Sequence, residues 1–255
     1  MSRAGTVVRA WRYPYANPAK YRGGPPRFYV VRGEVVGDPA RPDGRTFWWE
    51  RPDPSQPYNL RANIHFEPSQ DRRVHLDDCL YTPLPLMLDR HPEVVVWTEG
   101  ETDADAALKA YRVPTTTHSR GAQAATAEQA AHFRKYRGTV LVVADRDPAG
   151  YAGALFRRRL LLREAGLAVR QVRVVRPADG VLAGGGGCAK GVVCECATPC
   201  PPPSQQAKGA DLKDHVAAGR TLRELQRVPL AELQEAAAQV AEQTAQGWTY
   251  TRDAS

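Results

Sequence analysis

The sequence predicts an α/β fold: a parallel sheet flanked by helices, with a smaller β-rich unit before it and a helical segment after it. Three observations lead there. Two short β-branched runs, Val94–Trp97 and Val140–Ala144, each pass through acids into a helix-like segment. That is the pattern of strands buried on both faces of a parallel sheet. A marked helix start, Asp147-Pro148, follows the second run, with the acid suited to the cap and the proline to the first helical position. Ahead of both runs, aromatic or β-branched stretches alternate with Pro- and Gly-containing turns. The expected division is a β-rich unit over residues 1–90, an α/β domain over 91–220 and a helical tail over 221–255.

With 255 residues, 42% of them hydrophobic, the chain can build a sizeable core. It has no apolar run of the roughly eighteen residues that a membrane span needs. The N-terminus, MSRAGTVVRAWRYPY, lacks the apolar centre of a signal peptide, so a cytoplasmic location without a membrane partner is expected. The net charge of +7 is unevenly placed. No acid precedes Glu34, and between Lys109 and Arg176 fourteen Lys or Arg stand against four acids. Such a field suits a polyanionic partner, although arginine used as a default surface residue would also produce it.

In chain order, Arg27–Val36 and Arg45–Glu50 read as a hairpin joined by the turn-rich Asp38–Gly44, and Tyr58–Pro68 as another strand. Aromatics and bases interleave early, including Trp11, Arg12, Tyr13, Tyr15, Lys20, Arg22 and Phe28. They read first as the core of a small β unit, with Arg12, Lys20 and Arg22 as candidate phosphate contacts. A surface on which bases stack is the alternative. Thr102 can cap a helix through Lys109, in whose first turn Asp105 reads as a dipole partner only. Val113–Gln123 reads as a short strand and a loop, where Gly121 lets the backbone approach a phosphate and Arg120 neutralises it. Ala124–Tyr136 reads as helix. The helix from Pro148 should reach Ala165, with Ala152, Leu155, Phe156 and Leu160 facing the core and Arg157, Arg158, Arg159 and Arg163 filling the remainder. Leu167–Val175 is the next strand. A Gly-, Cys- and Pro-rich insertion spans 180–208, after which Lys208–Gly219 adds Asp211 and Asp214. Leu222–Gln246 should be mostly helical, broken near Pro229.

Glu99 with Asp103, and Asp145 with Asp147, fall beyond the carboxyl ends of the two acidic strands, where ligands of open parallel sheets bind. Carboxylates converging there repel one another unless a cation intervenes. A hard, oxygen-loving ion, Mg2+ or Mn2+, is the natural candidate.

The order EGxxD, then DxD running into PAG, then a later Asp-rich element, resembles the TOPRIM domain shared by bacterial-type primases, topoisomerases and recombination-mediator proteins. The resemblance covers Val94 to Ala218, and within that group it is nearest to the bacterial and phage DNA primases. It implies a Rossmann-like sheet with Glu99 as metal ligand or general acid/base, Gly100 as the turning glycine and Asp103 as the acid closing the first motif. Asp145 and Asp147 match the metal-binding pair, and Asp211 and Asp214 fall where primases carry further acids. Catalysis would then rest on Glu99, Asp145 and Asp147, while Arg120, Gly121, Lys135, Arg137 and Lys213 would hold phosphate or template. The implied activity is metal-dependent, template-directed joining of ribonucleotides on single-stranded DNA. The implied partners are that strand, nucleoside triphosphates and a replicative helicase. No Walker-type GxxxxGKS/T appears, which argues against a fused helicase motor.

Two features depart from that pattern. No zinc ribbon precedes the acidic strands, and the unit ahead of them is short for a complete polymerase subdomain. Arg146, between the paired acids, either lowers the local negative charge or points away. A metal-dependent nuclease and a non-catalytic single-stranded nucleic-acid-binding module stand as alternatives. Cys188, Cys194, Cys196 and Cys200 have the spacing C-x5-C-x-C-x3-C. Four such thiolates can wrap one Zn2+, but the spacing matches no standard zinc motif, and an oxidisable loop is the preferred reading. His215 beside Asp214 reads as a hydrogen-bonding neighbour rather than a ligand.

Overall fold

The computed structural model describes residues 6–16, 27–38, 44–53, 56–61, 78–81, 92–119, 123–183 and 209–252. Two five-stranded sheets organise them. The first is antiparallel and contains β1 (Thr6–Ala16), β2 (Phe28–Val36), β3 (Arg45–Asp53), β4 (Gln56–Arg61) and β5 (Leu80–Tyr81), in the order β4-β3-β2-β1-β5. The expected hairpin is β2 paired with β3, Gly33 lying opposite Thr46. The strand expected at Tyr58–Pro68 begins earlier, at Gln56, and residues 62–68 lie outside the described residues.

Residues directly opposite each other in a sheet point to the same side, so the register sorts this sheet into two faces. One carries Tyr13 and Tyr15 of β1 with Val30 and Phe28 of β2. Tyr15 stacks on Phe28 at 4.9 Å between ring centroids, and Tyr81 completes a buried aromatic cluster. These aromatics are core, as expected. On the other face Arg12 donates to the buried Glu50 at 2.7 Å, and Trp48 donates to the same carboxylate at 3.0 Å. Arg12 thus forms an ion pair with a buried carboxylate while its own side chain stays 40% exposed, and Lys20 and Arg22 lie outside the described residues.

The second sheet contains β6 (Val94–Trp97), β7 (Thr115–Thr116), β8 (Thr139–Val143), β9 (Val172–Arg176) and β10 (Gln226–Arg227), in the order β10-β9-β8-β6-β7. Every neighbouring pair is parallel except β9 with β10. Five helices accompany it among the described residues: α1 (Glu101–Tyr111), α2 (Ala127–Ala131), α3 (Pro148–Arg163), α4 (Leu212–Ala217) and α5 (Leu230–Arg252). The protein is thus mixed α/β, a mostly parallel sheet flanked by helices plus an antiparallel N-terminal sheet. Val95, Trp97, Val140, Val142, Val172 and Val174 pack with Leu155 and Leu161 of α3 and Leu233 of α5. The intervening Val96, Val143 and Val175 pack with Ala107 of α1 and Leu212 of α4. Burial on both faces explains why β6 and β8 read as unbroken apolar runs, each such side chain contributing roughly 1.5–3 kcal/mol.

Several local expectations change. Helix α1 begins at Glu101, with Gly100 at its N-cap and no side-chain cap, so Thr102 lies inside the helix. The Ala-rich stretch is helical only over Ala127–Ala131. Beyond it, tight bonds from Phe133 N to Ala130 O (3.0 Å) and Tyr136 N to Phe133 O (2.9 Å) turn both aromatics into the core. Helix α3 ends at Arg163, not Ala165. Its Phe156 points outward, 38% exposed, whereas Arg157 is fully buried. The strand after α3 starts at Val172, behind a 3-10 turn over Val169–Gln171. The tail opens with a 3-10 turn at Leu222–Glu224 and β10 before α5 begins past Pro229 and runs through Arg252. Among the described residues no helix is long and apolar enough to cross a membrane.

Candidate active site

Register brings the two acidic segments together. Trp97 and Val142 pair at the ends of β6 and β8, so Glu99 and Asp145 leave the sheet side by side. From β6 the chain enters α1 through Gly100. From β8 it enters α3 through Asp147, whose Oδ1 accepts the Gly150 amide at 2.7 Å while Pro148 takes the first helical position, as the sequence predicts. A third segment is drawn in by the backbone: Arg146 N donates to Ala210 O at 3.0 Å, and Gly209 N returns a bond to Arg146 O at 3.0 Å. Gly209 does this at φ +81, a conformation that other residues rarely adopt. It delivers Asp211 to the N-cap of α4, in a reciprocal cap with Asp214. Asp103, buried in α1, then accepts the Lys213 amide through Oδ1 at 2.8 Å.

The electrostatics report the same convergence. Burial, and then the neighbouring Glu99, Asp103, Asp211 and Asp147, push the Asp145 carboxyl up to about 9. Burial and the adjacent Asp211 raise Asp103 to about 7, against the pull of Lys213. Glu99 is raised by burial, opposed by Arg157 and reinforced by Asp147. Glu99, Asp103 and Asp145 line one cleft, and Asp147 and Asp211 lie close enough to raise Asp145. Asp214 does not take a free place there: it is buried and closes the cap, its Oδ2 accepting the Asp211 amide at 3.2 Å. Lys213 stays at the cluster, with Nζ 3.4 Å from Asp211 Oδ2.

Arg157 is the residue that the helical pattern misplaced. Its guanidinium is fully buried beneath the acids and donates to Thr98 O at 2.9 Å and Val143 O at 3.0 Å, one carbonyl at the end of each acidic strand. Burial lowers its affinity for the proton to about 10, and Glu99, Asp145 and Asp103 oppose that loss. It ties the two strand ends together and places one fixed positive charge under several negative ones. Arg146, by contrast, points away from the opening, to Ala178 O at 3.2 Å and Asp179 at 2.7 Å. His215 is buried, accepting from Ala178 N at Nδ1 (3.1 Å) and bonded to Thr221 O through Nε2 (2.9 Å), so it is a structural neighbour, as expected.

Gly150 marks how tightly the acids are built. A Cβ there would lie 2.7 Å from Asp145 O and 2.9 Å from Asp145 N, contacts that backbone cannot relieve without moving the strand end. Gly150→Ala should lower stability by about 1–3 kcal/mol, seen as a Tm several degrees lower. It should also blunt any stabilisation by Mg2+, because Asp145 is the group displaced. Gly100 adopts extended φ −126, so no left-handed turn demands it. A Cβ at Gly100 would instead stand 3.2 Å from the Asp103 carboxylate, which the glycine leaves room for.

The donor set fits a hard cation. All the side chains are oxygen donors, and Glu99 Oε2 is buried with no hydrogen-bond partner. Among the described residues no three Asp, Glu, His or Cys side chains come together in a way that could hold a metal ion. Mg2+ does not require three, since it retains waters and binds through one or two carboxylates.

A cleft of about 550 Å3 opens from these acids to the N-terminal sheet, where Arg32, Arg45, Phe47 and Trp49 face Glu99, Asp103 and Asp145. Sequence reasoning did not select Arg32 and Arg45, and no apolar–polar alternation in β2 or β3 singles them out. Lys135 and Arg137 are not part of this site. They precede β8, whereas Asp145 follows it, and that five-residue strand alone spans roughly 16 Å, so they stand at the opposite end of the sheet. There they line a separate groove with Arg134 and Arg170. Arg120, Gly121 and the four cysteines Cys188, Cys194, Cys196 and Cys200 lie outside the described residues. Asp105, expected to serve the helix dipole alone, also receives the Tyr81 hydroxyl.

Fold and site together define an α/β protein with a strand-end carboxylate cluster opposed by an arginine- and aromatic-bearing antiparallel sheet. No family model and no curated relative matches the chain. Among the solved structures that the chain is similar to are two. One is a DNA primase domain from Pseudomonas aeruginosa, with TM-score 0.39, 16% identity, and coverage of 65% of this chain and 42% of that one. The other is a bacteriophage T7 lagging-strand DNA polymerase interacting with primase domains of two gp4 subunits bound to an RNA/DNA hybrid and dTTP, with TM-score 0.32, 18% identity, and coverage of 57% and 69%. The chain thus spans less than half the length of the first.

Proposed function

We propose that this protein is a TOPRIM-type, primase-like nucleotidyltransferase that joins nucleotides on a single-stranded DNA template. One observation carries the reading: Glu99, Asp103 and Asp145, from two parallel strand ends and the helix between them, open on a cleft whose far wall bears Arg32 and Arg45. Carboxylates on one side and guanidiniums on the other suit a nucleoside triphosphate, whose phosphates need both. A divalent cation held by Asp145 and Asp147 would supply Lewis-acid charge stabilisation and in-line alignment.

The chain's own groups do the rest. Arg32 and Arg45 orient the triphosphate. The partnerless Glu99 Oε2 accepts the proton of the attacking primer hydroxyl, a task suited to a carboxylate whose basicity burial has raised. The hydroxyl oxygen bonds to the α-phosphorus, and the bond to the departing pyrophosphate breaks. Asp103, fixed by the Lys213 amide, holds α1 and its preceding turn in place.

The test is incorporation of labelled ribonucleotide on single-stranded DNA with Mg2+ or Mn2+. Template-dependent extension is expected, and with Glu99→Gln it should fall by on the order of 10^2-fold or more, the loss of a general base. Metal-dependent degradation of the strand would replace this reading with a nuclease. Binding without turnover across templates and metals would replace it with a binding module.

A further inference from the structure

The face of the N-terminal sheet that looks toward the acids continues well beyond its core. Register places Arg9 and Trp11 of β1, Arg32 of β2 and Arg45, Phe47 and Trp49 of β3 on that same face, outward of Tyr13 and Val30. Burial explains Tyr13, Tyr15, Phe28 and Tyr81, and Trp11 and Trp49 pack against that cluster from its edge. Phe47 is 60% exposed, and Trp11 and Trp49 are only partly covered. The Arg9 guanidinium sits 4.6 Å over the Trp11 ring, a cation–π contact that keeps a positive charge next to a π-face. On this face of the sheet one acid, Glu34, lies opposite both Arg9 and Arg45, and Glu101 lines the cleft beside Arg32. Phe47 and Trp49 also line the cleft that reaches Glu99 and Asp145. The platform and the site are therefore one continuous surface.

We infer that this outer face is a stacking platform for the unpaired bases of a single-stranded polynucleotide, which runs along it toward the acid cluster. The inference rests on the proposed nucleotidyl transfer only for the strand's destination. Phe47 and Trp49 are two residues apart on β3, about 7 Å, and the mostly exposed Phe47 ring offers the first face on which a base can lie, while Arg32 lines the cleft beside it and can meet a phosphate. A duplex hides its base faces and cannot use such a platform. An acidic polypeptide would meet the arginines but would gain nothing specific from the rings.

Binding of a labelled oligothymidylate, and of an abasic strand of equal length and charge, measured by fluorescence anisotropy without metal or nucleotide, tests this apart from catalysis. Phe47→Ala should weaken binding of the intact strand on the order of 10-fold, the scale of one lost base stack. Its salt dependence should be unchanged, because no phosphate contact is removed. Wild-type protein should bind the abasic strand about as weakly as Phe47→Ala binds the intact one. Arg32→Gln should instead weaken both strands and reduce the slope of log affinity against log salt by about 1. Equal affinity of wild-type protein for intact and abasic strands, or an unaltered Phe47→Ala, overturns the platform. Phe47 is mostly exposed, so an unchanged melting curve will show that a loss of binding is not a loss of fold. A platform that binds as expected in a protein that incorporates no nucleotide removes the enzyme reading alone.

Discussion

Asp145→Asn should melt at a higher temperature than the wild-type protein in the absence of divalent metal, and it should lose nucleotide incorporation almost completely. Both effects come from one crowded carboxyl. With no cation bound, Asp145 keeps its proton up to about 9, whereas its ordinary value is 3.8. Between those values the folded state binds more protons than the unfolded state, so folding stability falls as pH rises through the window. Asparagine is neutral throughout and has no such penalty. The difference in Tm between variant and wild type should therefore be small near pH 5 and widen toward pH 9. Mg2+ should raise the Tm of the wild type, because a ligand that binds only the folded form stabilises it by mass action, and should barely move the variant. Loss of the carboxylate should cost several kcal/mol at the transition state, on the order of a 10^3-fold fall in rate. A differential scanning fluorimetry series across pH, with and without Mg2+, together with the incorporation assay, checks every part. A variant less stable than wild type at pH 9 would mean that the carboxylate is not crowded.

Arg157→Met should be the most destabilising change at the site. The side chain is fully buried and its two carbonyl partners, Thr98 O and Val143 O, end the two acidic strands. Methionine fills much of the volume but leaves both acceptors without this donor and removes a buried cation that opposes the repulsion among Glu99, Asp103 and Asp145. Breaking a buried charge arrangement in this way costs roughly 3–5 kcal/mol. Arg157→Lys keeps the charge but not the planar fork that spans both carbonyls, so its loss should be smaller. Coupling distinguishes the electrostatic part from the packing part. Asp145→Asn in the Arg157→Met background should recover more stability than it adds to the wild type, because repulsion unscreened by Arg157 has more to relieve. Equal effects in the two backgrounds would confine Arg157 to bridging the strand ends.

The parts of the site that were legible in the sequence are those written in local chemistry. The apolar runs at Val94 and Val140, the acids that follow them and the Asp147-Pro148 start are all short-range signals, and each element appears where they put it. Arg157 was not legible, because it opens a run of three arginines and nothing local says which of them turns inward. That choice is made by two carbonyls 59 and 14 residues away. Phe156 was misplaced for the complementary reason, since α3 buries a face that includes Gly150, Gly153 and Arg157, which a count of apolar residues does not see. The two-residue strands β5 and β10 were equally hidden, being strands only through pairing with distant neighbours, whereas β7 falls within the short strand read from Val113 onward. Lys135 and Arg137 were drawn to the wrong end of the sheet because composition records charge but not direction along a strand.

Helix α1 is held at three points by chain that lies far from it in sequence. Glu101 accepts the Tyr15 hydroxyl across 86 residues, Asp105 accepts that of Tyr81 across 24, and Asp103 accepts the Lys213 amide across 110. During synthesis the first two anchors are already available when α1 emerges. The third arrives only after a further 110 residues, on the order of ten seconds at common translation rates. Until then the ribosome-bound chain carries Glu99, Asp145 and Asp147 but lacks the amide that seats Asp103 and the segment that brings Asp211 alongside. The opening is completed by nearly the last folded piece of the α/β unit, so a truncated or stalled chain presents its acids without a finished site.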